Sequence, residues 1–308
     1  MKSSFKGMRA LAMGVAAGAM SAFWGASALA AEMVGQPTPG AIDMQPGVTP
    51  LRHDAIFFHN TILLPIITGI VLLVLGLLIW VCVRYNKRAN PTPARWSHNT
   101  TVEVIWTLAP VLILVFIAIF SFKLLFAYQN MPKPDLTIKA TGYQWYWGFE
   151  YPDQKIPEYI SNILPEDQAN AKGAPYKLAA TQPLVVPVHK TVRVLVTGAD
   201  VIHAFAVPSF GIITDAIPGR VNETWFNVEK IGTYYGQCRE LCGVDHGFMP
   251  IEVHVVSQAD FDAWVASKKG GAPAATPTQV AAAAPVALAA ASAPNNPAAP
   301  APAAPVAH

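Results

Sequence analysis

Two long runs without a charged side chain constrain this chain more than any other feature. Residues 62–83 form one run of 22, and residues 104–122 form a second of 19. As a helix at ~1.5 Å per residue the first would be about 33 Å long, enough for a hydrocarbon core of ~30 Å. Pro65 is expected in the first helical turn, where a missing N–H is tolerated. Pro110 is expected to kink the second helix, and Lys123 lies near enough to its end to reach the interface. Two buried core helices are the competing reading, but two runs of this length favour a transmembrane helical hairpin over residues 59–127. Composition agrees. The chain is 53% hydrophobic and 13% charged, against the ~25% charged of an ordinary soluble domain, which excludes an intrinsically disordered protein. The net charge of +2 is too small for a nucleic-acid binder, so no nucleic-acid partner is expected.

The flanks orient the hairpin. The loop between the runs carries Arg84, Lys87, Arg88 and Arg95 and no acid before Glu103, which places it in the cytoplasm by the positive-inside rule. Residues 1–30 read as a secretory signal peptide: Lys2, Lys6 and Arg9, a small apolar run over 10–25, then Ala28-Leu29-Ala30 with cleavage expected after Ala30. Both signals put the arm (residues 31–58) and everything after residue 127 outside, in a bacterial periplasm. The protein is then a multi-pass inner-membrane protein in contact with membrane lipid, with both mature termini in the periplasm. Residues 270–308 are Ala, Pro and Val with little else and no charged side chain after Lys269, which reads as a disordered tail. Glu103 sits at the cytoplasmic mouth of the second helix. It is either a carboxylate favoured by the helix N-terminus or a group that takes up protons.

From residue 135 the period changes from helical to alternating, and Val, Ile, Thr, Tyr and Trp become common. Strands are expected over 136–140, 145–151, 184–188, 192–197, 204–207, 221–228, 233–237 and 251–256, with a closing helix over 258–268. The spacing fits an antiparallel sandwich or small barrel over residues 128–269. Residues 135–269 hold fifteen acidic and eleven basic side chains, a net charge of −4, which favours a basic partner.

Cys238-Arg239-Glu240-Leu241-Cys242-Gly243-Val244-Asp245-His246-Gly247-Phe248-Met249 gathers two thiols, an imidazole and a thioether within 12 residues. His203 lies 35 residues upstream of Cys238. Soft sulfur with imidazole favours copper or zinc over hard cations. A Cys238–Cys242 disulfide suits an oxidising compartment, and a structural zinc suits two Cys and two His, but neither uses Met249. A blue-copper site needs one Cys, two His and a weak Met. The extra Cys makes a dinuclear copper centre the economical reading, and electron transfer its chemistry. The run Gly142-Tyr143-Gln144-Trp145-Tyr146-Trp147-Gly148-Phe149-Glu150-Tyr151 is either an aromatic core strand or an exposed aromatic where a redox partner docks.

These motifs, with Asp200-Val201-Ile202-His203-Ala204-Phe205 and Glu103-Val104-Ile105-Trp106-Thr107, resemble subunit II of bacterial haem–copper cytochrome c oxidases over residues 50–268. The resemblance implies a cupredoxin-like Greek-key β-barrel carrying the dicopper centre called CuA. It implies that Cys238 and Cys242 bridge two copper ions, that His203 and His246 are terminal ligands, that Met249 is a weak ligand to one copper and that the Glu240 carbonyl is a ligand to the other. It further implies a Mg²⁺ shared with subunit I through the Glu240 side chain, and Trp145 as the point where electrons arrive from cytochrome c. Glu150 and Asp200 would belong to the docking surface, and Glu103 to the mouth of a proton path. The implied partners are subunits I and III, with oxygen reduced in the catalytic subunit and protons pumped. A docking acid usual in the family is missing at Thr181-Gln182. Cys82 is read as a small buried apolar residue. A membrane-anchored copper carrier is the alternative, although it would need neither the aromatic run nor Glu103. Nitrous-oxide reduction would need a His-rich cluster that a total of 8 His does not favour.

Overall fold

The computed structural model describes residues 34–270. The signal peptide and its cleavage point, and all of the Ala/Pro tail beyond Gly270, lie outside the described residues. The first long helix, α1, runs from Pro50 to Arg84, so the arm ends earlier than expected. Thr49 caps it, its hydroxyl accepting the Arg52 N–H at 3.1 Å. Pro50 follows at a first-turn position, where its fixed φ suits a helix start. Pro65 is therefore not in the first turn of this helix. It comes just after a widened π segment, Phe58–Leu63, which relieves the clash a proline ring makes with the preceding turn. The second helix, α2, spans Thr100–Gln129 with Pro110 inside it. Neither Leu64–Arg84 nor α2 buries a residue within the chain, so their apolar surfaces face outward. Cys82 is exposed with them, not buried as expected, because no other element among the described residues covers that stretch.

Ten strands follow among the described residues: β1 Leu136–Tyr143, β2 Tyr146–Tyr151, β3 Ile156–Ser161, β4 Leu184–Pro187, β5 Thr191–Gly198, β6 His203–Val207, β7 Ile212–Ala216, β8 Asn222–Asn227, β9 Gly232–Cys238 and β10 Pro250–Val256. They form two five-stranded sheets, in the orders β3-β2-β1-β5-β8 and β4-β10-β9-β6-β7. The sandwich is not purely antiparallel as expected, since β1 pairs with β5 and β4 with β10 in parallel. Trp145 was expected to open β2. It sits instead with Gln144 in the turn between the paired residues Tyr143 and Tyr146. Two short helices complete the domain, α3 Glu166–Ala171 and α4 Gln258–Lys268. The whole is a two-helix membrane hairpin followed by a cupredoxin-like β-sandwich.

Alternation fills the interior. Ile138 and Ala140, Val192, Val194 and Val196, and Ile251 and Val253 point inward and are fully buried. Trp147, Phe149 and Tyr151 bury the largest areas of β2, and removing one such aromatic side chain from a core costs about 3–5 kcal/mol. The Tyr151 hydroxyl donates to the Val185 carbonyl at 2.7 Å and accepts its N–H at 2.9 Å. Trp264 of α4 packs on the same ring, centroids 4.9 Å apart.

The hairpin and the sandwich are stitched together around Pro208–Phe210, the turn that follows β6. Val48 N–H donates to the Ser209 carbonyl at 3.1 Å. The buried Thr49 hydroxyl donates to the Phe210 carbonyl at 2.8 Å. From α2, the Tyr128 hydroxyl donates to the Gly211 carbonyl at 2.8 Å, and the Trp225 indole N–H donates to the Tyr128 carbonyl at 2.9 Å.

Candidate metal centre

Three pieces of chain converge at one end of the sandwich. β6 opens on His203 and β9 closes on Cys238, and the two strands are neighbours, with Phe205 opposite Cys238. The loop 239–249 then leaves β9 and returns, with Cys238 N–H donating to the Met249 carbonyl at 3.1 Å. This closure brings Cys242 and His246 back over the end of β9.

The two sulfurs lie 3.9 Å apart, far beyond a disulfide bond of about 2.05 Å, and both thiols are free. Each has an imidazole beside it. His203 Nδ1 is 3.9 Å from Cys238 Sγ, and His246 Nδ1 is 3.6 Å from Cys242 Sγ. The Glu240 carbonyl accepts from Cys238 Sγ at 3.3 Å. Met249 and His203 are completely buried. The donors are therefore soft and gathered about the sulfur pair, His203 with the two thiols in one buried cluster and His246 half-buried at its edge.

Its electrostatics call for cations. Burial raises the Cys238 thiol, but hydrogen bonds from His203 and the main chain at Ala204 and Glu240 outweigh it and bring it below its ordinary value. Burial and the neighbouring Cys238 charge push Cys242 up. Two adjacent thiolates cannot both form here without positive charge between them. Two sulfurs each flanked by an imidazole fit a bridged pair of metals. A single tetrahedral zinc would leave the buried thioether and the Glu240 carbonyl without a role.

Other residues are placed as follows. Asp200 receives three hydrogen bonds: His203 Nε2–H at 2.9 Å, Gln144 N–H at 2.8 Å and its neighbour Val201 N–H at 2.6 Å. Burial alone would raise this carboxylate, and these bonds hold it below its ordinary value. It holds the proton on Nε2 and turns the Nδ1 side of the ring towards Cys238. Trp145 is half-buried, its indole N–H 3.3 Å from the Cys242 carbonyl. Glu150 pairs with Lys139 at 3.4 Å. The Glu240 side chain is exposed, and so are Leu241 and Val244 on the same loop. Glu103 stands apart at the start of α2, where its carboxylate accepts the Asn99 N–H at 3.1 Å. At the position of the missing docking acid, Gln182 accepts from Lys268 Nζ at 2.8 Å.

Three residues at the site carried no separate signal in sequence. Gln144 Nε2 donates to the Cys242 carbonyl at 2.8 Å. Gly142 leaves room for a ligand: a Cβ there would lie 2.8 Å from the His203 ring. Gly243 has φ +127, and a Cβ there would come within 2.9 Å of the Trp145 ring.

A cupredoxin-like domain on a membrane hairpin, presenting paired thiols and imidazoles, defines a membrane-anchored protein with a soft-metal redox site. Residues 136–256 match the family model for the periplasmic domain of cytochrome c oxidase subunit II, and residues 37–124 match the model for its transmembrane domain. A probable cytochrome c oxidase subunit 2 from Rickettsia conorii is 51% identical over 233 residues, covering 76% of this chain and 73% of the relative. A cytochrome c oxidase subunit 2 from Cereibacter sphaeroides is 42% identical over 256 residues, covering 78% and 84%. The crystal structure of the periplasmic domain of subunit II of Bradyrhizobium japonicum cytochrome oxidase is 54% identical, covers 46% of this chain and 98% of that one, and has a TM-score of 0.43. The chain belongs to the cytochrome c oxidase subunit II family. It is a subunit of a cytochrome c oxidase, an oxidoreductase complex, and its hairpin and periplasmic domain fit the inner membrane.

Proposed function

We propose that this chain receives electrons from reduced cytochrome c at a CuA centre and passes them to haem in the catalytic subunit. The observation that carries this is the donor ring: two free sulfurs 3.9 Å apart, each beside an imidazole nitrogen. Cys238 and Cys242 would hold two coppers between them, with His203 and His246 at the ends, Met249 as a weak ligand to one copper and the Glu240 carbonyl as a ligand to the other. When bound, such a pair supplies a one-electron store shared between two metals. The protein's own part is to keep the ligands in place. Asp200 holds the His203 ring, and the Cys238 N–H bond to Met249 fixes both ends of the loop.

Trp145 is the point where electrons arrive. Its indole N–H meets the Cys242 carbonyl, which continues through that residue's own bonds to its sulfur. Asp200 and Glu150 lie on the acidic surface on which a basic cytochrome c docks. Each carries a carboxylate already tied to a neighbour, so their contribution is local potential more than a free ion pair. Complementary charge of this kind sets the rate of encounter. The exposed Glu240 carboxylate is available to a Mg²⁺ shared with subunit I. The hairpin lies with its basic loop in the cytoplasm and both mature termini outside, its apolar surfaces covered by lipid and by subunits I and III.

Metal analysis of the purified oxidase complex tests the centre. Two coppers in this subunit, with a seven-line electron paramagnetic resonance pattern from one electron shared between them, are expected. One zinc and no copper would reject the reading.

Glu103 serves the mouth of a proton path. Its carboxylate caps the helix and stands at the basic side of the hairpin. In Glu103→Ala, turnover slows while reduction of the copper centre by cytochrome c keeps its normal rate. Slowed copper reduction would assign Glu103 elsewhere.

A further inference from the structure

We infer that Gln144 is the positioning residue that holds Trp145 against the thiolate loop, an assignment that rests on Trp145 being the point where electrons arrive. The turn between β1 and β2 consists of Gln144 and Trp145 alone, between the paired Tyr143 and Tyr146. Such a tip has little of its own to fix an indole in space. Trp145 makes one polar contact with the loop, at 3.3 Å to the Cys242 carbonyl, longer than the ~2.9–3.0 Å at which such bonds cluster. Gln144 makes the shorter one. Its side-chain amide donates to the same carbonyl at 2.8 Å, so both lone pairs of that oxygen are taken by adjacent residues of the turn.

The main chain of Gln144 secures a second element. Its N–H donates to Asp200 Oδ2 at 2.8 Å, and Asp200 Oδ1 receives His203 Nε2–H at 2.9 Å. One residue is thus bonded to the loop that carries Cys242 and, through one carboxylate, to the strand that opens on His203. Gly243 completes the fit. A Cβ there would lie 3.1 Å from Gln144 Nε2 and 2.9 Å from Trp145 Cζ2, so the turn rests in a slot that only glycine leaves open. Gln144 touches neither sulfur nor imidazole. It acts through Trp145, by setting the distance and angle of the indole to the Cys242 peptide.

The test uses the intact oxidase with Gln144→Met, Trp145→Phe and the double variant. Methionine keeps the length of the side chain and loses the donor. Reduction of the copper centre by cytochrome c should slow about 10- to 100-fold in Gln144→Met, the scale on which small misplacements are felt. KM for cytochrome c, bound copper and the paramagnetic resonance spectrum should be unchanged. In the Trp145→Phe background the same change should cost nothing further, because both residues act through one contact. Gln144→Glu, equal in length but without an N–H to give, should reproduce the loss. The assignment is overturned by a normal rate in Gln144→Met. It is equally overturned by lost copper or an altered spectrum, which would make Gln144 a support of the metal loop, or by an equal loss in both backgrounds. A normal rate in Trp145→Phe alone would remove Trp145 from the route, and Gln144 with it. That outcome is distinct from one in which Trp145→Phe is slow and Gln144→Met is not.

Discussion

Cys242→Ser should leave an oxidase that still assembles but accepts almost no electrons. A serine hydroxyl does not ionise near neutral pH, so a single bridging sulfur remains and the metal pair cannot be held. Copper in this subunit should fall from two to one or none, and the seven-line spectrum should vanish. Oxidation of cytochrome c should drop by more than about 100-fold, exceeding the 10–100-fold loss typical of outer-shell metal partners. Two features keep this from being a folding defect. Cys242 lies on a loop outside the strands, and serine differs from cysteine by one atom of similar size, so the buried position stays filled. A variant with two coppers and its shared-electron spectrum intact would show that the sulfur pair is not the bridge.

Trp145→Phe should have the next largest effect and a different signature. Phenylalanine keeps an aromatic ring at the turn but loses the N–H that meets the Cys242 carbonyl. The copper ligands are untouched, so metal content and spectrum should match the unaltered enzyme. Reduction by cytochrome c should fall by roughly 100-fold, in the range that loss of a single oriented contact can produce. Electrons supplied by a small inorganic reductant should still arrive at a normal rate, since such a donor need not dock at the turn. An unchanged rate with cytochrome c would exclude Trp145 from the route.

The parts of this molecule that were legible in sequence are those with a local chemical signature. The hairpin announced itself because 22 and 19 consecutive uncharged residues have few other uses. The metal loop was legible because Cys238, Cys242, His246 and Met249 lie within one short stretch, and His203, singled out upstream in the sequence, is brought to it by the pairing of β6 with β9. Two strands went unread. β3 carries Pro157 and Glu158 and is an edge strand with an irregular register, a place where proline is tolerated and alternation fades. β7 is also at an edge, and its exposed Ile213 beside half-buried Thr214 gives no clear inward face. The parallel pairings of β1 with β5 and β4 with β10 join segments far apart in sequence, which no local period encodes. The early start of α1 was written in Thr49-Pro50, a cap followed by a first-turn proline, but the polar residues after it resembled an arm. Gln144 was hidden for another reason: its importance lies in two bonds to distant residues, and nothing in Tyr143-Gln144-Trp145 distinguishes it from a filler between aromatics.

The stitches around Pro208–Gly211 have a mechanical consequence. β6 runs from that turn to His203, five residues in all, or about 17 Å at ~3.3 Å per residue. One end of this short strut is bolted to both membrane helices through Thr49 and Tyr128, and the other carries a ligand. The candidate metal site is therefore braced directly against the helix ends. Its distance from the ends of the two long helices is set by that strut and not by a flexible linker.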